Sequence, residues 1–203
     1  MNTSENLVGL YHRDFTRLAL LREHMGFWHY FFASAVEKIG GGIVDLILSS
    51  ERRLVGQGVF YKIATPEIIL GVIYYLVIGR EFRGKGFGRI LLATLEEILS
   101  WEDAEIFIAS TTLDNEASRR LFRSLDYKEF SWKDLYKLLG SEETEILRKA
   151  LCSYEDDLIM IRFEKRDIKD LKKALNKENT SRKTIERIWR EICYTPWLRL
   201  RRS

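Results

Sequence analysis

Three glycines and two cations lie close together in the stretch Arg83-Gly84-Lys85-Gly86-Phe87-Gly88, between two apolar runs. Glycine lets the backbone approach a ligand closely, and the amide N–H groups at the start of a helix attract anions. Lysine and arginine add positive charge at the same place. The residue types and their spacing therefore indicate a loop that binds an anion, with phosphate oxygens as a favourable ligand.

The spacing of the glycines separates several kinds of loop. A nucleoside-triphosphate loop ends in Gly-Lys-Ser or Gly-Lys-Thr, whereas Gly88 is followed by Arg89 and Ile90. A dinucleotide fingerprint reads Gly-x-Gly-x-x-Gly, and counting from Gly84 puts Arg89 at the third glycine position. A plain turn with incidental glycines stays open, but three alternate glycines between a strand and a helix argue against it.

Apolar periodicity predicts the strands and helices that surround this loop. A short strand over Asn6–Arg13 precedes a helical stretch to about Lys38, and three strand-like runs follow with links short enough for hairpins. The later elements are, in order, a helix, a strand, a helix and two strands: 90–98, 104–110, 115–125, 127–132 and 156–165. This order predicts an α+β fold with one mixed, mostly antiparallel sheet flanked by helices.

Two segments fall outside this order. Two short helices over about 132–152 form an insertion before the last strand, with a capping box from Ser131 to Asp134 and a stop at Gly140. After the last strand, two amphipathic helices are expected at about 167–177 and 181–193, the second ending at Thr195-Pro196. We therefore expect a domain over 1–165 and a helical C-terminal arm over 166–203.

The loop motif Arg83-x-x-Gly86-x-Gly88 resembles the pyrophosphate-binding motif of the GNAT superfamily of N-acetyltransferases. The stretch LVIGREFRGKGFGRILL is similar to that family's strand, loop and helix, and TTLDNEASRRLFRSLDYKEF is similar to its next block. The close resemblance covers Tyr75–Phe130, and the order of elements extends it over Asn6–Lys165. It implies a GNAT-like fold and acetyl transfer from acetyl-coenzyme A.

The resemblance also implies which residues hold the coenzyme. Amides of the loop would bind the pyrophosphate, and backbone of the preceding strand would pair with the pantetheine arm, one amide polarising the thioester carbonyl. No metal is implied. The coenzyme-binding candidates are Leu76, Val77, Ile78, Arg83, Gly84, Lys85, Gly86, Phe87, Gly88, Arg89, Asn115 (also a helix N-cap) and Phe122.

The chain departs from the family where many members carry a tyrosine that protonates the leaving thiolate. Phe122 stands at that position and has no proton to give. A coenzyme thiol, with a pKa of about 8.5 by analogy with cysteine, can leave unaided, although a positioned acid contributes about 10² to 10⁴-fold. Four tyrosines remain open as other proton donors: Tyr74, Tyr75, Tyr127 and Tyr154.

No general base stands out from the sequence. The strand before the loop has neither an acid nor a histidine between Ile68 and Gly79, and the next strand offers only Ser110 and Thr111. Glu37, Asp45, His24, His29 and the inserted helices stay open on the acceptor side. The catalytic residues are therefore unknown at this stage, and the candidates kept for the catalytic site are Tyr74, Ser110 and Tyr127.

The missing base bears on the acceptor amine. A lysine amine with a pKa of about 10.4 is neutral about 0.04% of the time at pH 7, whereas an α-amine with a pKa of about 7.7–8.0 is neutral roughly a tenth of the time. We therefore expect direct transfer to a primary amine of low pKa, such as a protein or peptide N-terminus. The alternatives are a non-catalytic module that binds acetyl-coenzyme A and regulates or docks a partner, and a nucleic-acid protein led by its basic tail.

Charge and composition concern partners and location. The net charge is +3, but 165–203 alone holds 13 Lys or Arg against five Asp or Glu. An apolar stripe over Ile185–Ile192 predicts that the arm docks on its own domain or on a second copy as a homodimer, more than on nucleic acid. Uncharged runs are too short for a membrane span and no signal segment opens the chain, so a cytoplasmic location is expected.

The two cysteines, Cys152 and Cys193, lie far apart in the sequence. They match neither a metal-binding pattern nor a disulfide framework. We therefore expect two reduced thiols, as in a cytoplasmic protein. Two prolines, a single glutamine and abundant Lys, Glu and Ile hint at a heat-adapted source.

Overall fold

Seven strands form one mixed sheet in the computed structural model, which describes residues 6–176 and 181–201. The spatial order is β1-β2-β3-β4-β5-β7-β6, and every neighbouring pair is antiparallel except β4 with β5. The α+β fold and the hairpins predicted from the sequence are confirmed. The strands are β1 Leu7–His12, β2 Gly42–Leu48, β3 Arg53–Ala64, β4 Ile69–Ile78, β5 Ala104–Thr111, β6 Lys128–Ser131 and β7 Leu158–Phe163.

Helices cover both faces of this sheet. They are α1 Ala19–Met25, α2 Phe27–Ala35, α3 Phe87–Trp101, α4 Glu116–Arg123, α5 Trp132–Leu139, α6 Ser141–Leu151, α7 Ile168–Leu175, α8 Ser181–Trp189 and α9 Thr195–Leu200. Short 3-10 turns lie at Phe15–Arg17, Val36–Ile39 and Arg80–Phe82. The predicted insertion before the last strand is α5 and α6, and the capping box between Ser131 and Asp134 is present.

Each face of the sheet has its own hydrophobic cluster. On one face, the apolar stripe of α3 packs on strand residues such as Phe107 and Met160. On the other face, α1, α2, the insertion and the arm share a single cluster, in which Leu21, Leu147 and Ile188 are buried. We call these the α3 face and the acceptor face.

The sheet opens between its two parallel strands. Pairing of β4 with β5 runs only from Ile69 to Val72, although both strands continue further. Just beyond, Phe60 pairs with Ile73 and Val59 with Tyr75, so Tyr74 is the extra residue of a β-bulge in β4. Because a bulge bends and twists its strand, β4 turns away from β5 here. We call the unpaired stretch between residues 73–78 and 109–111 the strand gap.

Gln57 fixes the start of α1 against the sheet. Its side chain is fully buried, and its Oε1 accepts from the amides of Leu20 and Leu21 at 3.0 and 3.2 Å. Its Nε2 donates to the Arg17 carbonyl and to Asp45 Oδ1 at 2.8 and 2.7 Å. Since buried polar groups need partners, this satisfied network sets the position of α1, and Asp45 belongs to it.

The C-terminal arm folds back over the acceptor face. Ile185, Ile188 and Ile192 are buried in the cluster of that face, so the predicted apolar stripe docks on its own chain. The prediction that Thr195-Pro196 ends the helix is wrong: a π-helical segment, Arg190–Tyr194, leads into α9, where proline occupies the first turn. Proline is tolerated there because its missing N–H would have no helical partner. The domain division at 165 and 166 stays a prediction.

The expectation of two free thiols is also wrong for this structure. Cys152 at the end of α6 and Cys193 in the arm form a disulfide, with Cα atoms 5.5 Å apart. The reason lies in the tertiary structure. The arm packs α8 along α6, and this packing brings the two cysteines, 41 positions apart in the sequence, into contact. The bond ties the arm to the insertion.

Candidate functional site

The glycine loop lies on the α3 face, directly before the first turn of α3. Gly84 and Gly86 have φ of +74° and +84°, a region that favours glycine, and a Cβ at either position would meet nothing within 4 Å. In residues 6–176 and 181–201, the amides of 84–88 have no hydrogen-bond partner. A run of unpaired N–H groups at a helix start, facing open space, is a cradle for an anion.

Cations border this cradle. The Arg83 side chain folds back, its Nε donating to the Ile78 carbonyl at 3.0 Å, which ties the loop to the end of β4. Lys85 extends over the Phe82 ring, with Nζ 5.9 Å from the ring centre. Arg89 is exposed on the first turn of α3. Three cationic residues are therefore part of the loop or the helix turn that follows it.

The edge of β4 along the strand gap connects the loop to the middle of the sheet. Leu76, Val77 and Ile78 pair with β3 on one side, while their other side faces the gap and has no pairing with β5. An extended ligand can pair with such an edge as an added strand. This is the position that the sequence resemblance implies for the pantetheine arm.

The remaining two coenzyme candidates lie at α4. Asn115 is exposed and caps the helix, its Oδ1 accepting from the Ser118 amide at 3.2 Å. Phe122 is only 4% exposed and packs edge-on against Tyr127, with ring centres 4.9 Å apart. Asn115 is therefore free to meet a ligand with its amide group, whereas Phe122 presents little surface.

A polar cluster lies at the strand gap on the acceptor face. His29 Nδ1 of α2 is 3.4 Å from the Tyr75 hydroxyl of β4. On the other side of the gap, the Ser110 hydroxyl of β5 donates to Asp156 Oδ2 at 2.5 Å, just before β7 begins. The indole Nε1 of Trp132, in the insertion, donates to the Asp156 carbonyl at 2.8 Å. Four separate elements and the segment before β7 thus meet here.

Burial sets the proton affinities in this cluster. It raises the pKa of both Tyr74 and Tyr75, so their hydroxyls stay protonated and are weaker acids than an ordinary tyrosine. Burial also raises the pKa of the Asp156 carboxyl, and the neighbouring Asp157 and Glu155 raise it further, while the bond from Ser110 opposes the rise. A carboxylate with a raised pKa is a stronger base.

The structure brings two of the three catalytic candidates to the gap and separates the third. Tyr74, at the bulge, and Ser110 lie on the acceptor face beside the cluster. Tyr127 is 3% exposed within the cluster of the α3 face, where burial raises its pKa and Glu96 is the nearby acid. Tyr74 and Ser110 therefore stay the stronger predictions.

The sequence pattern alone does not identify Asp156 as a site residue. Its signal was the acidic run Glu155-Asp156-Asp157 immediately before the last strand, next to the inserted helices. Only the antiparallel pairing of β5 with β7 shows that this run faces Ser110.

Neither a cluster of potential metal ligands nor a helix that could span a membrane is found in residues 6–176 and 181–201. In 6–176 and 181–201, no three His, Cys, Asp or Glu side chains are grouped so that they could hold a metal ion. Within the same ranges, no helix has both the length and the apolar character to cross a membrane.

The chain belongs to the GNAT family of acetyltransferases, whose model matches residues 7–127. A search of curated proteins finds no match to this chain.

Solved structures share the fold at low sequence identity. A GNAT-family acetyltransferase from Staphylococcus aureus Mu50 is 11% identical with a TM-score of 0.55, covering 79% of this chain and 100% of its own. The ribosomal-protein-S18-alanine N-acetyltransferase from Escherichia coli is 13% identical with a TM-score of 0.54, covering 80% and 95%. A chain of the NatC complex bound to Gag peptide and CoA is 15% identical with a TM-score of 0.52, covering 78% and 98%.

Proposed function

We propose that this acetyltransferase moves an acetyl group from acetyl-CoA directly to a primary amine, and that the amine is the N-terminus of a peptide or protein. The observation that carries the proposal is the strand gap, with an anion cradle on the α3 face and a polar cluster on the acceptor face. A donor and an acceptor could meet there from opposite faces of the sheet.

The residues of the α3 face fit the coenzyme. The free amides of 84–88 and the nearby cations would hold its pyrophosphate, and the open edge of Leu76–Ile78 would align its pantetheine arm. Asn115 would meet the arm near its end. When bound, acetyl-CoA supplies the activated acetyl thioester, and the chain's part is to position it and exclude competing water.

The acceptor face supports an amine acceptor. Exposed Phe27 and Trp28 at the start of α2 lie next to His29, and the acids Glu155 and Asp156 lie across the gap. Aromatic surface would contact the first side chain of a peptide, and the acids would attract its charged amine. Two structural neighbours support a peptide or protein acceptor: one chain belongs to a NatC complex solved with a Gag peptide and CoA, and another is a ribosomal-protein-S18-alanine N-acetyltransferase.

Location and assembly are further parts of the proposal. A cytoplasmic location is compatible with the Cys152–Cys193 bond if the source is heat-adapted, because intracellular proteins of hyperthermophiles are rich in disulfides. A homodimer through the arm would use what the arm leaves exposed, which includes Tyr194 and Trp197, at 40% and 41%. Sedimentation of the full chain tests the dimer.

Thiol release tests the transfer itself. Acetyl-CoA would be offered with small amines, polyamines, lysine peptides blocked at their N-terminus and peptides with free, varied first residues. The expected result is free coenzyme thiol with the free N-termini, and a peptide mass raised by one acetyl group. Binding of acetyl-CoA without thiol release from any acceptor would instead support a non-catalytic acetyl-CoA-binding regulatory or interaction module.

A further inference from the structure

Asp156 stands out among the acids near the strand gap. Its side chain is half-buried, and its carboxylate accepts from Ser110, which lies two residues beyond the last β5 residue paired with β4. Its backbone is held by the Trp132 indole. The carboxylate is therefore fixed at the open edge of β5, where the strand turns its side chains towards the acceptor face.

We propose that Asp156 is the general base of the transfer, taking the proton from the acceptor amine, and that Ser110 is the positioning residue that aims it. This inference rests on the proposed function. Other titratable groups near the gap are Asp157, Glu155 and His29, and each is less well placed to take this proton.

The neighbours of Asp156 are engaged or exposed. Asp157 Oδ2 accepts from the Leu113 amide at 2.9 Å and so serves the β5–α4 turn. Glu155 is exposed, and within residues 6–176 and 181–201 its carboxylate accepts no hydrogen bond that would fix it. His29 is exposed, with its ring edge-on to Tyr75.

The proton balance of the reaction gives Asp156 a defined task. A neutral amine attacks the thioester carbonyl, the C–N bond forms and the C–S bond breaks, and the nitrogen loses one proton. Asp156 takes that proton at a carboxylate oxygen, while the departing sulfur leaves as a weakly basic thiolate and gains its proton from water. Asp156 then returns its proton to solvent, so that no other reactant is needed.

The groups that face Asp156 determine its pH dependence. They are Ser110 from β5, Tyr74 and Tyr75 from β4, His29 from α2, and Glu155 and Asp157 from its own segment. Because the pKa of Asp156 is raised, its carboxylate form is lost as pH falls through that raised value. The rate should therefore decline on the acid side with the titration of Asp156, separately from the titration of the amine.

The test compares Asp156→Asn, Ser110→Ala and the control Glu97→Gln, an exposed acid of α3 on the other face of the sheet, in the full chain. Thiol release with an N-terminal peptide gives kcat/KM against pH, and calorimetry gives the acetyl-CoA Kd. We expect Asp156→Asn to lower kcat/KM by about 10² to 10⁴-fold at neutral pH and to remove the part of the acid limb that follows Asp156, leaving the titration of the amine, with the acetyl-CoA Kd unchanged. Glu97→Gln removes one exposed charge far from the gap, so its kcat/KM should stay within about threefold of the wild-type value.

Ser110→Ala keeps the test decisive even if Asp156→Asn fails to fold. Loss of the Ser110 bond removes a contact that lowers the Asp156 pKa, so the acid limb should move to higher pH. If the acid limb of the pH profile does not move in Ser110→Ala, the inference about Asp156 is wrong. Near-normal turnover of Asp156→Asn, with an acid limb like that of the wild type, would also overturn it. Neither result would contradict the proposed function. A wild type that transfers to no amine would overturn the proposed function, and the inference with it.

Discussion

The glycine loop and the polar cluster flank the same strand gap, yet they are built in different ways. The loop is one run of consecutive residues, and it presents the backbone amides of 84–88, which have no hydrogen-bond partner in the described ranges. The cluster is assembled from α2, β4, β5, α5 and the segment before β7, and the contacts that form it are made mainly by side chains.

This difference teaches which part of the site tolerates change. Backbone amides are supplied by any residue that adopts the loop conformation, so the donor side depends on glycine at a few left-handed positions. The acceptor side depends on side chains held by tertiary contacts, so it can be altered without disturbing the loop. Variants that affect one side and spare the other are therefore the way to test the comparison.

The largest effect on ligand binding is expected from Gly86→Asp. The change forces a side chain into φ of +84° and places a negative charge in the cradle, so acetyl-CoA should bind at least about tenfold more weakly. Calorimetry measures the Kd, and circular dichroism reports the fold. Gly40→Asp is the control, because Gly40 has φ of +78° and an equally open surrounding but lies after α2.

Unchanged acetyl-CoA affinity in folded Gly86→Asp would remove the loop from the coenzyme site. Equal weakening in Gly40→Asp would mean that backbone strain, and not position, causes the loss.

A smaller effect, confined to the acceptor side, is expected from Trp132→Phe. The change keeps an aromatic ring under Arg148 but removes the donor to the Asp156 carbonyl. A lost hydrogen bond of about 1 kcal/mol corresponds to a roughly fivefold lower kcat/KM for the acceptor peptide. The acetyl-CoA Kd should not change. Trp101→Phe serves as control, since Trp101 is 76% exposed at the end of α3.

If Trp132→Phe weakens acetyl-CoA binding as much as it lowers kcat/KM, the insertion supports the fold as a whole. The loop and the polar cluster would then not be separable by such variants.

The smallest effect on either ligand is expected from breaking the disulfide with Cys193→Ser. A bond that closes a loop of 41 residues contributes about 2–4 kcal/mol to stability, so thermal unfolding should begin several degrees lower. Acetyl-CoA affinity should stay as in the wild type. Reductant should lower the melting temperature of the wild type and leave Cys193→Ser unaffected. Two free thiols in the unreduced wild type, counted by mass after alkylation, would contradict the bond.

The sequence was most informative where structure follows from local pattern. The α3 stripe, the glycine loop and the capping box at Ser131 each depend on residues a few positions apart, and each was predicted. The bulge at Tyr74 was not predictable, because its register is set by the pairing of β3 with β4. The contact of Ser110 with Asp156 likewise depends on β7 lying beside β5.

The arm shows the same limit. Its apolar stripe was visible as a helical period, but the path through a π-helical segment and the bond between Cys152 and Cys193 depend on how α8 packs along α6. Residues far apart in the sequence are close in space here, which the sequence does not show. Pro196 was predicted to end a helix, but proline is also tolerated in the first turn of one, and that is where it lies in α9.

Amide hydrogen exchange of the wild type tests the two-sided site most directly. Peptic fragments would be compared for the free protein, for the protein with coenzyme A and for the protein with an acceptor peptide. The account predicts that coenzyme A protects 76–90 and leaves 26–30 and 153–157 largely unchanged, while the peptide protects 26–30 and 153–157. Protection of 26–30 and 153–157 by coenzyme A, with 83–89 exchanging as in the free protein, would contradict it.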